Sequence, residues 1–123
     1  MEKNSVATRL CIYASSTDKI DHTLLSEFLV NLAHKQGMAG ATVLKGIMGF
    51  GASSVIHSYK LWEISEKVPV VVEIIDEEEK INAFYDLIKP FIDSMRYGCL
   101  VTSEKTTILF CKPGKRSEQN GPD

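Results

Sequence analysis

Gly46, Gly49 and Gly51, followed closely by Ser53 and Ser54, carry the most specific chemical signal in this 123-residue chain. They close the stretch Gly40-Ala-Thr-Val-Leu-Lys-Gly-Ile-Met-Gly-Phe-Gly-Ala-Ser-Ser54, which begins as an alternating, β-branched strand. Glycine in a strand marks a bulge, a bend, or a place where a ligand or second backbone comes close. A concave run of free backbone N–H groups beside two hydroxyls suits an anion such as phosphate. The same residues also suit a bent hairpin corner that holds no ligand. Both readings stay open at this point.

The elements around this stretch follow from periodicity. Residues 6–14 alternate as a first strand, with Leu10 and Ile12 on one face and Arg9, Cys11 and Tyr13 on the other. After a polar connector, Asp21 reads as an N-cap, with Ile20 stapling to Leu25. Leu25, Phe28, Leu29, Leu32 and Ala33 form a helical stripe, and Gly37 should stop it from the C′ position. The glycine-bearing strand spans about 41–50. A long connection, 52–68, comes next, too apolar at Tyr59, Leu61, Trp62 and Ile64 to be only solvated, and parts of it can extend as a ribbon.

Pro69 opens an almost wholly apolar strand, Val70-Val-Val-Glu-Ile-Ile75, as expected of a central strand covered on both faces. Asp76 and Glu79 read as a capping box, and the acidic run 77–79 as charge at the positive end of a helix dipole rather than a metal cluster. Ile81, Phe84, Ile88, Phe91 and Ile92 give a second helix, which Pro90 should kink or end. A turn at 94–98 leads to a last strand over about 99–110. The domain is expected over 1–112, and the tail 113–123, with nothing to bury, reads as disordered.

The order β-α-β-β-α-β is that of an α+β, ferredoxin-like sandwich: a four-stranded antiparallel sheet with both helices on one face. The other face then lacks cover within the chain, and further copies of the chain are the simplest cover.

Composition narrows the function classes. A net charge of −2 and pI near 5.9 leave no electrostatic footprint for nucleic acid. No apolar run approaches the ~18 residues that a membrane span needs, so direct membrane insertion is not expected. The N-terminus has no apolar signal region, and the cytoplasm is the expected compartment. Cys11, Cys99 and Cys111 are an odd, widely spaced set and read as free thiols. His22, His34 and His57 have no ligand spacing, and no metal site is expected.

The chain resembles PII-like proteins of the family catalogued as domain of unknown function 190, from about Arg9 to Thr102. Gly40 through His57 carries the likeness, followed by Leu61, Ser65, Pro69 through Asp76 and, more faintly, Leu100-Val-Thr102. Ala41-Thr-Val with Gly49-Phe-Gly51 is more distantly similar to the second strand and loop start of PII signalling proteins. The resemblance implies a homotrimer with sheets facing inward and an intersubunit cleft for an adenine nucleotide. It further implies a mobile loop that controls a partner, with a membrane transporter or ion channel as the candidate. Carried onto this chain, the ligand site is Gly49, Phe50, Gly51, Ala52, Ser53, Ser54, Arg96 and Gly98, with no other cofactor required. The partner loop carries His57, Tyr59 and Trp62. The chain departs from PII proteins in the turn 93–98, which has one glycine and Arg96. It departs again at 106–110, where the late arginines that grip polyphosphate are not matched. Two other readings differ in class. One is a small enzyme in the same cleft, with Tyr13, His57 and Glu73 as acid–base candidates. The other is an interaction protein without a small ligand.

Overall fold

The computed structural model describes residues 5–51, the backbone of 57 and 58, and residues 67–114. The expectations for Ala52, Ser53, Ser54, Tyr59, Trp62 and most of the tail lie outside the described residues.

Strand β1 (Ser5–Ser15) leads through a two-residue-strand hairpin, β2 (Lys19–Ile20) and β3 (Thr23–Leu24), into helix α1 (Leu25–Lys35). Strand β4 (Gly40–Lys45) is followed by a short ribbon, β5 (Met48–Gly49) paired with β6 (His57–Ser58). Strand β7 (Pro69–Asp76), helix α2 (Glu78–Asp93) and strand β8 (Leu100–Ile108) complete the chain. The main sheet has the order β4-β7-β1-β8, with every neighbouring pair antiparallel. This is the ferredoxin-like α+β arrangement that the element order implies.

Both helices pack on one face of the sheet. Leu10 and Ile12 of β1 and Val72 and Ile74 of β7 meet Leu25, Leu29 and Ala33 of α1 and Ile81, Phe84 and Ile88 of α2. Phe28 and Phe91 bridge the helices with ring centroids 5.0 Å apart. On the other face, the register sets Leu44, Val71, Tyr13 and Leu100 side by side in one row. Further along this face Arg9 stands opposite Glu104, with which it pairs, and 3.9 Å from Glu73, which lies diagonally across on β7. Within one chain β7 is buried only on the helix side, and Val71, Glu73 and Ile75 are half-buried. Among the described residues, nothing supplies the second side of the double cover expected of this strand.

Several local expectations are corrected. Asp21 does not cap α1; it adopts φ 54° in the turn joining β2 to β3, and α1 starts after Leu24 with no side-chain cap. The hairpin occupies the residues that would have formed a cap, and the Leu25 N–H instead donates to the Asp18 carbonyl at 2.8 Å. Asp76 belongs to β7 rather than to a capping box, since the N-cap of α2 is Glu77. Buried Asp76 accepts from the N–H of Glu77 at 2.7 Å and of Ala39 at 2.9 Å, tying β7 to the start of β4 and of α2. Pro90 does not end α2, which continues to Asp93. The glycine-bearing strand divides at Gly46, and the last strand is shorter than 99–110 at both ends. Gly37 acts as expected: at φ +73° its N–H reaches the His34 carbonyl, and the Met38 N–H reaches Ala33, closing a Schellman motif.

Candidate functional site

At the end of the sheet where β1 and β4 finish and β7 and β8 begin, the chain encloses a cavity of about 410 Å³. That lies within the ~300–1,000 Å³ usual for small-molecule sites. β1 and the turn after it contribute Tyr13, Ala14, Ser15 and Asp18. Gly46, Met48, Gly49, Phe50 and Gly51 form another wall, Lys67, Pro69 and Val71 a third, and Tyr97 with Gly98 closes the last side.

The corner is held by backbone. The Gly46 N–H donates to the Pro69 carbonyl at 2.7 Å, and Ser16 exchanges bonds with Val68 through its N–H and its hydroxyl. A Cβ on Gly46 would lie 2.9 Å from Pro69 Cγ, and one on Gly49 3.4 Å from the same atom. These two glycines thus make room for the Pro69 ring. Gly51 differs: a Cβ there would meet nothing within 4 Å, and its φ is not left-handed. Of the three, only Gly51 lines the cavity with no packing contact to account for its lack of a side chain.

The cations here gather over an aromatic ring, and the carboxylate of the cavity pairs with neither of them. Asp18 is 6% exposed, and its Oδ2 accepts the Ser15 N–H at 2.8 Å. Lys67 is exposed, with its ammonium 5.1 Å from the centre of the Tyr97 ring. The Arg96 guanidinium lies 5.4 Å from that same centre. Phe50, Met48, Tyr97 and Tyr13 present large apolar surfaces to solvent. Near this corner, burial and, after it, the Asp18 carboxylate push the Cys99 thiol up from 9.0 to about 11. Burial also raises the Cys11 thiol, against a smaller opposing effect of Arg9.

Of the residues expected at a ligand site, Gly49, Phe50, Gly51 and Gly98 line this cavity. Arg96 does not line it, and its guanidinium rests over the Tyr97 ring. His57 pairs through its backbone with Gly49. Of the acid–base candidates, Tyr13 lines the cavity, while Glu73, one row further along the same open sheet face, lies beside Arg9 and does not line it. Sequence reading missed Ser15, Asp18, Lys67, Val71 and Tyr97 as lining residues. Asp18 looked like an ordinary connector residue, and Lys67 the solvated end of a long segment. The one available signal was position, since each lies within three residues of a strand end.

No group of three or more His, Cys, Asp or Glu among the described residues could hold a metal ion. No described helix is long and apolar enough to cross a membrane.

The fold is that of PII-like proteins. CPII from Thiomonas intermedia K12, a nitrogen regulatory PII-like protein solved bound to ADP and bicarbonate, superposes with a TM-score of 0.61 at 17% identity, covering 86% of this chain and 91% of that one. A putative PII-like signaling protein from Thermus thermophilus, TTHA0516, gives 0.63 at 15% identity over 88% and 94%. At the level of sequence, residues 7–108 match the family DUF190, described as "Uncharacterized ACR, COG1993", and the chain belongs to that family. A UPF0166 protein of Aquifex aeolicus (strain VF5) is 35% identical over 101 residues, covering 82% of this chain and 91% of the relative. The UPF0166 protein MJ1524 of Methanocaldococcus jannaschii is 34% identical over 84 residues, covering 65% and 77%.

Proposed function

We propose that this chain is a non-enzymatic, PII-like regulatory protein of the cytoplasm. It binds an adenine nucleotide at the sheet-end cavity and signals its occupancy to a partner through the 52–68 connection. The observation that carries this reading is the composition of the cavity walls: exposed aromatic rings for a base, an exposed lysine for phosphate, and a glycine, Gly51, that no packing contact explains. CPII, which shares the fold, has been solved with ADP and AMP, and this favours the same ligand class here. The cavity is assigned to a cleft between neighbours of a homotrimer, because it opens beside the uncovered sheet face. Ligand-site roles are proposed for Gly49, Phe50, Gly51, Ala52, Ser53, Ser54 and Gly98, with Arg96 supplying charge from over the Tyr97 ring.

Ligand binding would bias one conformation of the connection, and His57, Tyr59 and Trp62 would meet the partner, for which a membrane transporter or channel is the proposed class. Thermal-shift and calorimetric titration of the purified protein with ATP, ADP, AMP and cyclic AMP tests the first half, because a ligand that binds the native state raises Tm. Recovery of the nucleotide unchanged separates a sensor from an enzyme. No shift with any of the four would remove the nucleotide reading.

A further inference from the structure

The nucleotide reading leaves unexplained a carboxylate that the fold buries in the cavity wall. Asp18 is 6% exposed and is held in place from three sides. Its N–H donates to the Ser15 carbonyl at 3.1 Å, its carbonyl accepts the Leu25 N–H at 2.8 Å, and its Oδ2 accepts the Ser15 N–H at 2.8 Å. Among the described residues, Oδ1 has no hydrogen-bond partner and no cation pairs with the group. Lys67 lines the same cavity, yet its ammonium rests over Tyr97 rather than on Asp18.

Oδ1 is not sealed off, since Arg9 Nε is the one fully buried side-chain polar atom without a partner among the described residues; Oδ1 stays open at the cavity wall, free to accept from whatever fills the cavity. A cavity that keeps an anion and a cation apart suits a ligand with donors at one end and negative charge at the other. We infer that Asp18 is a specificity-determining residue of the cavity, accepting hydrogen bonds from the hydroxyls of a ribose whose phosphate lies toward Lys67. Carboxylates take this part in dinucleotide sites, where the acid accepts from a ribose hydroxyl. The three backbone and side-chain bonds that fix Asp18 are what such a role needs, because the acceptor is then in place before the ligand arrives. The ligand class is a ribonucleotide, in preference to its deoxy counterpart.

This rests on the nucleotide reading, and calorimetry with ADP, 2′-deoxy-ADP and 3′-deoxy-ADP separates the two. Wild-type protein should bind ADP about ten- to a hundredfold more tightly than at least one deoxy analogue. Asp18→Asn keeps an oxygen for the Ser15 N–H and loses the charge, so it should weaken ADP binding and shrink that preference to a few fold. Equal affinity of the wild type for all three nucleotides overturns the inference and leaves the nucleotide reading standing, and it needs no variant to fold. An undiminished preference in a folded Asp18→Asn protein overturns it as well. Absence of any ADP binding overturns both.

Discussion

A Cβ on Gly46 would stand 2.9 Å from Pro69 Cγ and 3.4 Å from its carbonyl oxygen, so Gly46→Ala must push the corner apart. The expected cost is about 1–3 kcal/mol by urea unfolding. Gly51→Ala meets open space in an ordinary backbone conformation and should change stability by less than about 0.5 kcal/mol. Any loss of nucleotide binding in that variant would then belong to the cavity and not to the fold. Cys99 supplies a pH test. Its folded pKa is raised from 9.0 to about 11, so the folded state holds the thiol proton more tightly than the unfolded chain does. That contribution is full below pH 9 and is lost as pH rises toward 11. Cys99→Ala should lose less stability than the wild type across pH 9–11, as read from the urea midpoint.

Asp76 joins three elements through one carboxylate, and it is the point where element-level order is most concentrated. Removing it in Asp76→Ala strands the N–H groups of Ala39 and Glu77 and leaves Lys80, 3.6 Å from Oδ2, with only the Gly37 carbonyl as partner. A loss of about 2–4 kcal/mol is expected in denaturant unfolding. Gly37→Ala acts on α1 in a smaller way, because φ +73° is strained for any residue with a Cβ; about 1 kcal/mol is expected. Equal stability of the Asp76 variant and the wild type would mean that water replaces the carboxylate at both amides.

For the whole molecule, the decisive feature is the sheet face that neither described helix covers. Leu44 at 52%, Leu100 at 49% and Tyr13 at 40% exposure stand in one row with half-buried Val71. An apolar row flanked by the Arg9–Glu73–Glu104 group is an interface pattern, with charges that can register neighbouring copies. Sedimentation should give a particle of three times 13.7 kDa. Val71→Arg, which puts a charge into the centre of that row, should shift it to monomer with the helix-side core intact. A wild-type monomer at micromolar concentration would count against the trimer.

The order of strands and helices, the core stripe of α1 and the stop at Gly37 were legible in the sequence because each follows from spacing along a local element. Gly49, Phe50, Gly51 and Gly98, singled out in the sequence, line the sheet-end cavity. The role of Gly46 was not legible: only the pairing of β4 with β7 brings Pro69 against it. Asp21 and Asp76 carried cap-like patterns that tertiary structure overrode, one by a hairpin turn and the other by a bond across 37 residues to Ala39. Asp18, Lys67 and Tyr97 lie far apart in the chain and have unremarkable neighbours in sequence. Their convergence depends on which strand ends meet, and strand pairing is a long-range choice that local spacing does not encode.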